Sequence, residues 1–332
     1  MSGIAGIVRF DGGAIAPGQI ERMTAAMAHR GPDGIAHWRQ GPVALGHCQL
    51  HTTPESLAES QPLVSEDGQL VLVMDGRFDN WEELRRELLK CGARLRDHTD
   101  VELALQAYAS WGRACLSRFE GDFALAIWDA RHNELFCARD RLGNKPFTYW
   151  LNGPTLVFAS ELHAIFEWPD VPQTLNEGLV AEFLASEFHS VDETFWNGIL
   201  RLEAAHTLNF HAGGLRLERY WSPDLMRTLD YRRDEDYVEH YRELISDIVR
   251  RQSRTHRPLA CEVSGGLDSS ALFALAERLR REQSLLAPGL AGYTLDCQGD
   301  PEADELGYAR AVGHHLGHRL HEIPPSQMPL PW

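Results

Sequence analysis

Short apolar runs, each bounded by turn-forming residues, make up most of the first two thirds of the chain. The run at residues 1–10 ends at the turn formed by Asp11 and Gly12 and predicts a β-strand. Further strands are predicted at residues 43–47, 69–74, 123–129, 134–138 and 155–160. The short connection between the runs 123–129 and 134–138 predicts a hairpin. Many strands with few, separated helices indicate two packed sheets flanked by helices.

Three helices are predicted among these strands. The first covers residues 20–27. Asn80 is expected to cap the second helix, with Glu83 completing a capping box. Thr99 or Asp100 starts the third helix, whose apolar positions recur at helical spacing. These helices supply the outer layers of the predicted two-sheet domain.

The last third of the chain has a different pattern. Residues 200–210 and 215–220 are expected to form a last strand pair, and the charged stretch 224–236 is the best linker candidate. An amphipathic helix follows over residues 237–253. Strands and helices then alternate, with strands at 258–263, 290–295 and 319–323 and helices at 271–279 and 304–316. This alternation predicts a parallel sheet whose ligand lies at the carboxyl ends of the strands.

A stretch rich in glycine and serine, residues 263–270, separates the first of these strands from its helix. Adjacent glycines allow a tight turn and close approach of a ligand, and a helix N-terminus offers unpaired N–H groups to an anion. The stretch lacks the Gly-Lys-Ser end of a Walker loop and the spacing of a dinucleotide-binding turn. A simple helix cap needs fewer polar residues than are present here. Asp268 can hold a magnesium ion that bridges phosphates. We therefore interpret the stretch as a nucleotide-phosphate site formed by Ser264, Gly265, Gly266, Leu267, Asp268, Ser269 and Ser270.

Composition restricts the possible partners of the protein. The chain of 332 residues is 43% hydrophobic, enough for a sizeable core, and its length fits two domains. Its formal net charge of −16 argues against a nucleic-acid surface, which needs a basic stripe. No apolar stretch is long enough for a membrane helix, and no export signal is visible at the N-terminus. Scattered cysteines without a CxxC pair indicate reduced thiols. We therefore expect a cytoplasmic protein that binds neither nucleic acid nor membrane.

Several motifs occur in a fixed order along the whole chain: MSGIAGI at residues 1–7, HRGPD at 29–33, LGH at 45–47, QPL at 61–63, RDRLGNKP at 139–146, FASEL at 158–162 and SGGLDSS at 264–270. Together they resemble the asparagine synthetase family, which joins a class II glutamine amidotransferase domain to an ATP-pyrophosphatase domain. The resemblance implies an α+β first domain over residues 1–223, a four-layer αββα sandwich of the Ntn-hydrolase type. After a linker at 224–236, it implies part of an α/β parallel-sheet domain over residues 237–332. This second domain would be of the adenine-nucleotide α-hydrolase type, with three strands.

Three departures from the family lie in its glutamine pocket. The resemblance places a catalytic cysteine at position 2, as the first residue after methionine removal, but the chain has Ser2, whose hydroxyl is a weaker nucleophile than a thiolate. The arginine that would bind the glutamine carboxylate is replaced by Gln49. Asp75 stands where the family has the asparagine of its oxyanion site, and a carboxylate opposes developing negative charge. Of this pocket Gly76 and Asp100 remain, the latter to bind the glutamine amine. We therefore expect an inactive first domain that serves as a scaffold.

The function implied by the resemblance is amide-bond formation with ATP and Mg²⁺. ATP would activate a carboxylate as an acyl-adenylate, an amine would displace AMP, and Thr294 would lie near the adenosine. Two relatives, β-lactam synthetases and lasso-peptide macrolactam cyclases, have also lost the glutaminase and use an amine carried by the substrate. We therefore favour a ligase that joins a peptide N-terminal amine to an Asp or Glu side chain. Its substrate would be a small molecule or peptide with both groups, and a protein that processes the precursor peptide would be a partner.

Two other functions remain open. One is an asparagine synthetase that uses ammonia. The other is a pseudoenzyme, a folded scaffold that binds a peptide or partner without turnover. The resembling families carry a further stretch with additional strands, a second acidic motif and residues that position the acceptor. We expect either that this chain is a fragment or that another chain completes its site.

Overall fold

The structure, a computed structural model, describes residues 1–297 and 304–324. It divides into two compact units. Residues 1–51 and 55–225 form the first unit. The second unit consists of residues 52–54 together with the chain from Met226 onward. The end of the predicted second domain, from residue 325, lies outside the described residues. No helix in the described part of the chain is long and apolar enough to cross a membrane.

The first unit contains two antiparallel sheets of six strands each. The strands are β1 (Gly3–Arg9), β2 (Gly34–Gln40), β3 (Val43–Gln49), β4 (Leu63–Val64), β5 (Leu70–Phe78), β6 (Gly121–Asp129), β7 (Glu134–Arg139), β8 (Thr148–Asn152), β9 (Thr155–Ala159), β10 (Ile199–Arg201), β11 (His206–His211) and β12 (Gly214–Arg219). One sheet has the order β10-β8-β9-β1-β3-β2 and the other the order β12-β11-β7-β6-β5-β4. The helices are α1 (Gln19–Ala26), α2 (Trp81–Lys90), α3 (Asp100–Trp111), α4 (Leu162–Phe166) and α5 (Glu177–Ala185).

Alternating side chains of the strands explain how these layers pack. In β1, Ile4 and Val8 face the core between the two sheets, whereas Ala5 and Ile7 face the layer of α1 and α4. Strand β5 alternates in the same way between the core of the sandwich and the layer of α2 and α3. The unit is therefore helix, sheet, sheet, helix, and the predicted four-layer αββα sandwich is confirmed.

The second unit is built on a parallel sheet of three strands, with the order β13-β14-β15. Its elements are α6 (Asp234–Gln252), β13 (Leu259–Glu262), α7 (Leu267–Arg281), β14 (Leu290–Leu295), α8 (Leu306–Leu316) and β15 (His321–Ile323). Its core among the described residues is small, formed by Val263, Phe273, Ala309 and Leu320. The predicted three-stranded parallel sheet is confirmed, although α6 begins at Asp234 rather than at residue 237.

Two helix starts in the first unit compare directly with the prediction. Thr99 precedes α3, and its Oγ1 accepts a hydrogen bond from Glu102 N at 3.3 Å, as expected. Asn80 precedes α2, but its side chain does not cap that helix, so the predicted capping box is wrong. Its Nδ2 donates to Arg118 O at 2.8 Å, and its Oδ1 accepts from Glu120 N at 3.1 Å. Backbone groups of a distant segment thus take the amide that local capping would use.

Several elements were not predicted. Strand β2 is mostly exposed, and β4, β8, α4 and α5 were also missed. The run 200–210 is not one strand, because β10 belongs to the first sheet and β11 to the second. Ala205, with a φ of 59°, lies in the turn between them. A left-handed residue breaks the run, and no glycine marks the break in the sequence.

Candidate functional site

The phosphate loop, residues 263–270, follows β13 at the carboxyl end of that strand. Val263 is fully buried, and its N–H donates to Tyr293 O at 2.7 Å, which continues the pairing with β14. Gly265 turns the chain with a φ of 88°, a conformation that favours glycine. Helix α7 begins at Leu267, so the predicted helix start at residue 271 is wrong: residues 267–270 already form its first turn. The two glycines thus lie directly before a helix N-terminus.

Two serine hydroxyls hold the loop in shape. Ser269 Oγ accepts from Ser264 N at 3.2 Å and lies 2.9 Å from Ser264 Oγ. Ser264 Oγ in turn accepts from Gly266 N at 3.2 Å. The residue that precedes the helix, Gly266, has no side chain to cap the N–H groups of the first turn. This arrangement combines a preformed turn with uncapped helix donors, which is the geometry of an anion site.

The other predicted residues of this site differ in their exposure. Asp268 is exposed on the first turn of α7, where its carboxylate can reach a hydrated magnesium ion. Ser270 Oγ is buried and has no hydrogen-bond partner among the described residues, so it retains a free donor. Thr294 on β14 exposes only 3% of its surface, so the structure does not present it to a ligand as it does Asp268. The loop residues therefore fit nucleotide phosphates and Mg²⁺, and within the described residues no preformed group of three metal-binding side chains accompanies them.

The predicted glutamine-pocket residues of the first unit begin with Ser2, which precedes β1. Its Oγ accepts from Leu50 N at 3.1 Å and lies 3.4 Å from Leu50 O. Its carbonyl oxygen accepts from Arg30 Nε at 2.8 Å. Both contacts fix Ser2 to neighbouring backbone and to the HRGPD motif. The hydroxyl is therefore held by local structure, with no general base among its hydrogen-bond partners.

Asp75 is the buried member of a set of charged side chains, which we call the charge cluster: Arg30, Asp75, Lys145 and Glu161. Asp75 Oδ1 accepts from Lys145 Nζ at 2.9 Å, and its Oδ2 lies 3.2 Å from Arg30 Nη2. Arg30 Nη1 also donates to Glu161 at 3.0 Å. Asp75 is only 2% exposed, so these pairs are shielded from water. Sequence reasoning missed the roles of Arg30, Lys145 and Glu161, although all three lie in the quoted motifs.

Gln49 does not face the pocket as a carboxylate-binding group would. Its Nε2 donates to Glu59 O at 2.8 Å. The Glu59 carboxylate accepts from Gln61 Nε2 at 2.6 Å. The pKa of Glu59 is raised to about 7, mainly by burial and to a smaller extent by Asp100, Asp97 and Asp75, against the lowering effect of the hydrogen bond from Gln61. An additional acid thus lies near Asp75 and Asp100, where a glutamine pocket would need a cation for the substrate carboxylate.

Gly76 and Asp100 have clear structural roles. A side chain at Gly76 would approach Phe123 Cβ to 2.6 Å and Asp122 O to 2.8 Å, so this glycine is required by the close packing of β5 on β6. Asp100 is buried as the first residue of α3, where a carboxylate is favoured by the helix dipole. The structure therefore brings Ser2 and Asp75 together through Arg30, and Asp75 and Asp100 together near Glu59.

Comparison with known proteins agrees with this architecture. Residues 1–221 match the family model described as glutamine amidotransferase domain, and residues 240–328 match that of asparagine synthase. The chain is 34% identical over 279 residues to an asparagine synthetase (glutamine-hydrolyzing) 3 of Bacillus subtilis, covering 83% of this chain and 45% of that protein. It is 30% identical to asparagine synthetase (glutamine-hydrolyzing) 2 of the same organism, covering 82% of this chain and 38% of the relative.

A solved structure shares the fold. The allosteric regulatory enzyme of purine biosynthesis superposes with a TM-score of 0.50 at 18% identity, covering 97% of this chain and 80% of the other. At this identity the likeness concerns the fold alone. The chain spans about half the length of the curated relatives that it matches.

Proposed function

Because the chain belongs to the asparagine synthetase family, we propose that it is the nucleotide-binding part of an ATP-dependent ligase that forms an amide bond through an acyl-adenylate. We further propose that the amine is carried by the substrate itself, as in macrolactam formation between a peptide N-terminus and an Asp or Glu side chain. The single observation that carries this choice is the charge cluster, in which Asp75 replaces an oxyanion donor and is held between Arg30 and Lys145.

The altered first-unit pocket supports a substrate-borne amine. Hydrolysis of glutamine needs an activated nucleophile, a cation for the carboxylate and donors for the oxyanion. Here a serine occupies the nucleophile position, and its hydroxyl is hydrogen-bonded to Leu50. Gln49 donates a hydrogen bond to the backbone carbonyl of Glu59, and the Asp75 carboxylate can only accept hydrogen bonds. A ligase without its own ammonia source requires an amine from elsewhere, and a substrate that contains both groups supplies it.

The proposed reaction has two steps. A substrate carboxylate oxygen attacks the α-phosphorus of ATP, which forms the acyl-adenylate and releases pyrophosphate. The amine then attacks the acyl carbon, loses a proton and releases AMP. In the first step the N–H groups at the start of α7 and the hydroxyls of Ser264 and Ser269 would bind the leaving pyrophosphate. Asp268 would hold Mg²⁺ and so offset the phosphate charge.

The partners of the whole protein follow from this proposal. The substrate would be a small molecule or a peptide that bears a carboxylate and an amine within reach of each other. For a peptide substrate, a second protein that trims the precursor and frees its N-terminal amine would act before the ligase. Such a protein is the class of partner that we propose.

A second candidate function is an asparagine synthetase that takes free ammonia. The observation that favours it is the identity of 34% to a relative with that name. AMP formation that requires aspartate and ammonia, and no peptide, would support this candidate. The third candidate, a scaffold without turnover, predicts nucleotide binding or peptide binding without AMP formation in the full-length protein.

The first experiment is titration calorimetry of Mg-ATP into the 332-residue chain. We expect binding that weakens about tenfold or more in Asp268→Ala, because a metal ligand is lost. Asp247→Ala, which removes an exposed carboxylate from α6, is the matched control and should bind as the parent does. No binding by the parent chain would contradict the proposed nucleotide site.

A second experiment tests the first unit. The purified chain is incubated with glutamine, and glutamate release is measured beside a B. subtilis relative as a positive control. We expect no release above the rate of the buffer. Release by the parent chain that disappears in Ser2→Ala would overturn the proposal that the amine comes from the substrate.

A further inference from the structure

The start of α8 lies against the phosphate loop. A methyl group added at Gly265 would come within 2.4 Å of Tyr308 Cβ and within 2.7 Å of Ala309 N. Helix α8 follows β14 as α7 follows β13, and in a parallel sheet both connections leave from the carboxyl edge. Two helix starts therefore meet beside the glycines, and Tyr308 is the large side chain at their junction.

Tyr308 is placed for contact with a ligand rather than for packing. Its neighbours on α8, Leu306 and Ala309, are 2% and 0% exposed and attach the helix to the unit, whereas Tyr308 is 71% exposed. Its hydroxyl makes no hydrogen bond to another of the residues that the structure describes. An exposed aromatic residue with a free donor, fixed at its Cβ against a phosphate loop, can add one hydrogen bond to an anion bound there.

The charge of the second unit makes such a neutral donor useful. The sequence of this unit from Met226 onward contains no lysine. The nearby Arg310 is paired with Glu322 at 2.7 Å. The donors that the described loop residues themselves offer are backbone N–H groups and serine hydroxyls, and a phenol hydroxyl belongs to the same class.

From these observations, and resting on the proposed function, we propose that Tyr308 is a nucleotide-binding residue. Its hydroxyl donates to the β,γ-phosphates of ATP, the part that leaves as pyrophosphate. The residue thereby discriminates nucleoside triphosphate from monophosphate, because AMP lacks the group that it contacts.

The test is calorimetric titration of the 332-residue chain with Mg-ATP and, separately, with AMP. In Tyr308→Phe we expect Mg-ATP binding to weaken about tenfold, the usual effect of losing one hydrogen bond to a charged group. AMP binding should stay within twofold of the parent, on the same scale. Tyr241→Phe removes the hydroxyl of another exposed tyrosine, on α6, and should change neither affinity. Melting curves of each variant confirm that the ring change leaves the fold intact.

Three results would overturn the proposal. In the first, Tyr308→Phe binds Mg-ATP with the affinity of the parent, while Tyr308→Ala lowers the affinities for ATP and AMP equally. The residue would then only support the loop. In the second, Tyr308→Phe loses affinity for ATP and AMP equally, which would show that the hydroxyl does not contact the β,γ-phosphates. If the parent chain does not bind Mg-ATP, both this inference and the proposed nucleotide site are rejected. If the parent binds Mg-ATP and the Tyr308 variants bind it equally well, this inference alone is rejected.

Discussion

Asp75 is buried and is held by two cations whose side chains are partly exposed. Lys145 and Arg30 contact its two carboxylate oxygens, and the other terminal nitrogen of Arg30 contacts Glu161. The sequence indicated a lost oxyanion donor at this position, and the structure adds an electrostatic role. A buried ion pair contributes little net stability when formed, but removing one partner is costly because the other charge stays buried.

Asp75→Asn should therefore destabilise the first unit, although it restores the residue of the resembling family. We expect a loss of about 2–4 kcal/mol in the free energy of unfolding, measured by urea denaturation. Asp11→Asn is the matched control, because Asp11 pairs with Arg9 at 2.6 Å on the surface and its loss should cost clearly less than that of Asp75. Equal losses in the two variants would show that the charge cluster has no special energetic role.

Glu59 gives the first unit a dependence on pH. Burial raises its pKa to about 7, so the folded protein binds the proton more tightly than the unfolded chain, whose carboxyl has a pKa of 4.5. Stability from this group is present below pH 4.5 and is lost as the pH rises through about 7. We expect Glu59→Gln to raise the stability by about 1–3 kcal/mol at pH 8 and to change it little at pH 5.

Thermal melts of Glu59→Gln between pH 5 and pH 8 check this expectation. The control is Glu21→Gln, which changes an exposed carboxylate on α1. A pH profile of the Glu59 variant that runs parallel to the parent would mean that the side chain is solvated in solution.

At the scale of elements, α2 and α3 show that a cap residue in the sequence can serve two different purposes. Thr99 caps α3, as its position predicts, and its hydroxyl also donates to Asp97 Oδ1 at 2.6 Å. Asn80 lies at the equivalent place before α2, yet its amide bonds to the segment at residues 118–120. Both residues stabilise the unit, one within a helix and the other between distant segments.

Thr99→Ala should lower the free energy of unfolding by about 1 kcal/mol, because the N–H of Glu102 loses its partner. Thr99→Ser keeps the hydroxyl and should recover most of that loss. Chemical denaturation of the three proteins provides the measurement. If serine and alanine were equally destabilising, the loss would come from the missing methyl group instead of the cap.

At the scale of the whole molecule, the two units differ in the apolar core that they bury. The first has three clusters of buried side chains, between and outside its sheets. Among the described residues of the second, the one buried apolar cluster contains Val263, Phe273, Ala309 and Leu320. Helix α6 contributes no buried residue, and its Tyr241 and Leu244 are 66% and 53% exposed.

Thermal unfolding of the chain should therefore occur in two steps, with the second unit melting first. Differential scanning calorimetry would resolve the transitions. Phe273→Ala, in the core of the second unit, should lower only the first transition, and Phe136→Ala, in the sandwich, only the second. A single transition shifted by both substitutions would contradict independent cores.

Local sequence determined a large part of this protein. Short apolar runs bounded by turn residues specified most strands of the sandwich, because a strand buried on both faces is apolar at successive positions. The alternation of strands and helices specified the parallel sheet, and Gly265, Gly266 and their serines specified the phosphate loop, because tight turns need particular residue types. Exposed or edge strands such as β2 and β10 escaped prediction, since they bury too little to leave a pattern.

Only the tertiary structure decided which side chains share a site. Asp75 is separated by more than forty positions from Arg30 and by seventy from Lys145, yet the packing of the two sheets brings their charges within hydrogen-bond distance. The partners of Asn80 and the raised pKa of Glu59 likewise depend on distant segments. The same holds for Tyr308, whose place beside Gly265 follows from the crossover connection between β14 and β15. Electrostatic and packing energies depend on distance in space, and residue order along the chain does not state that distance.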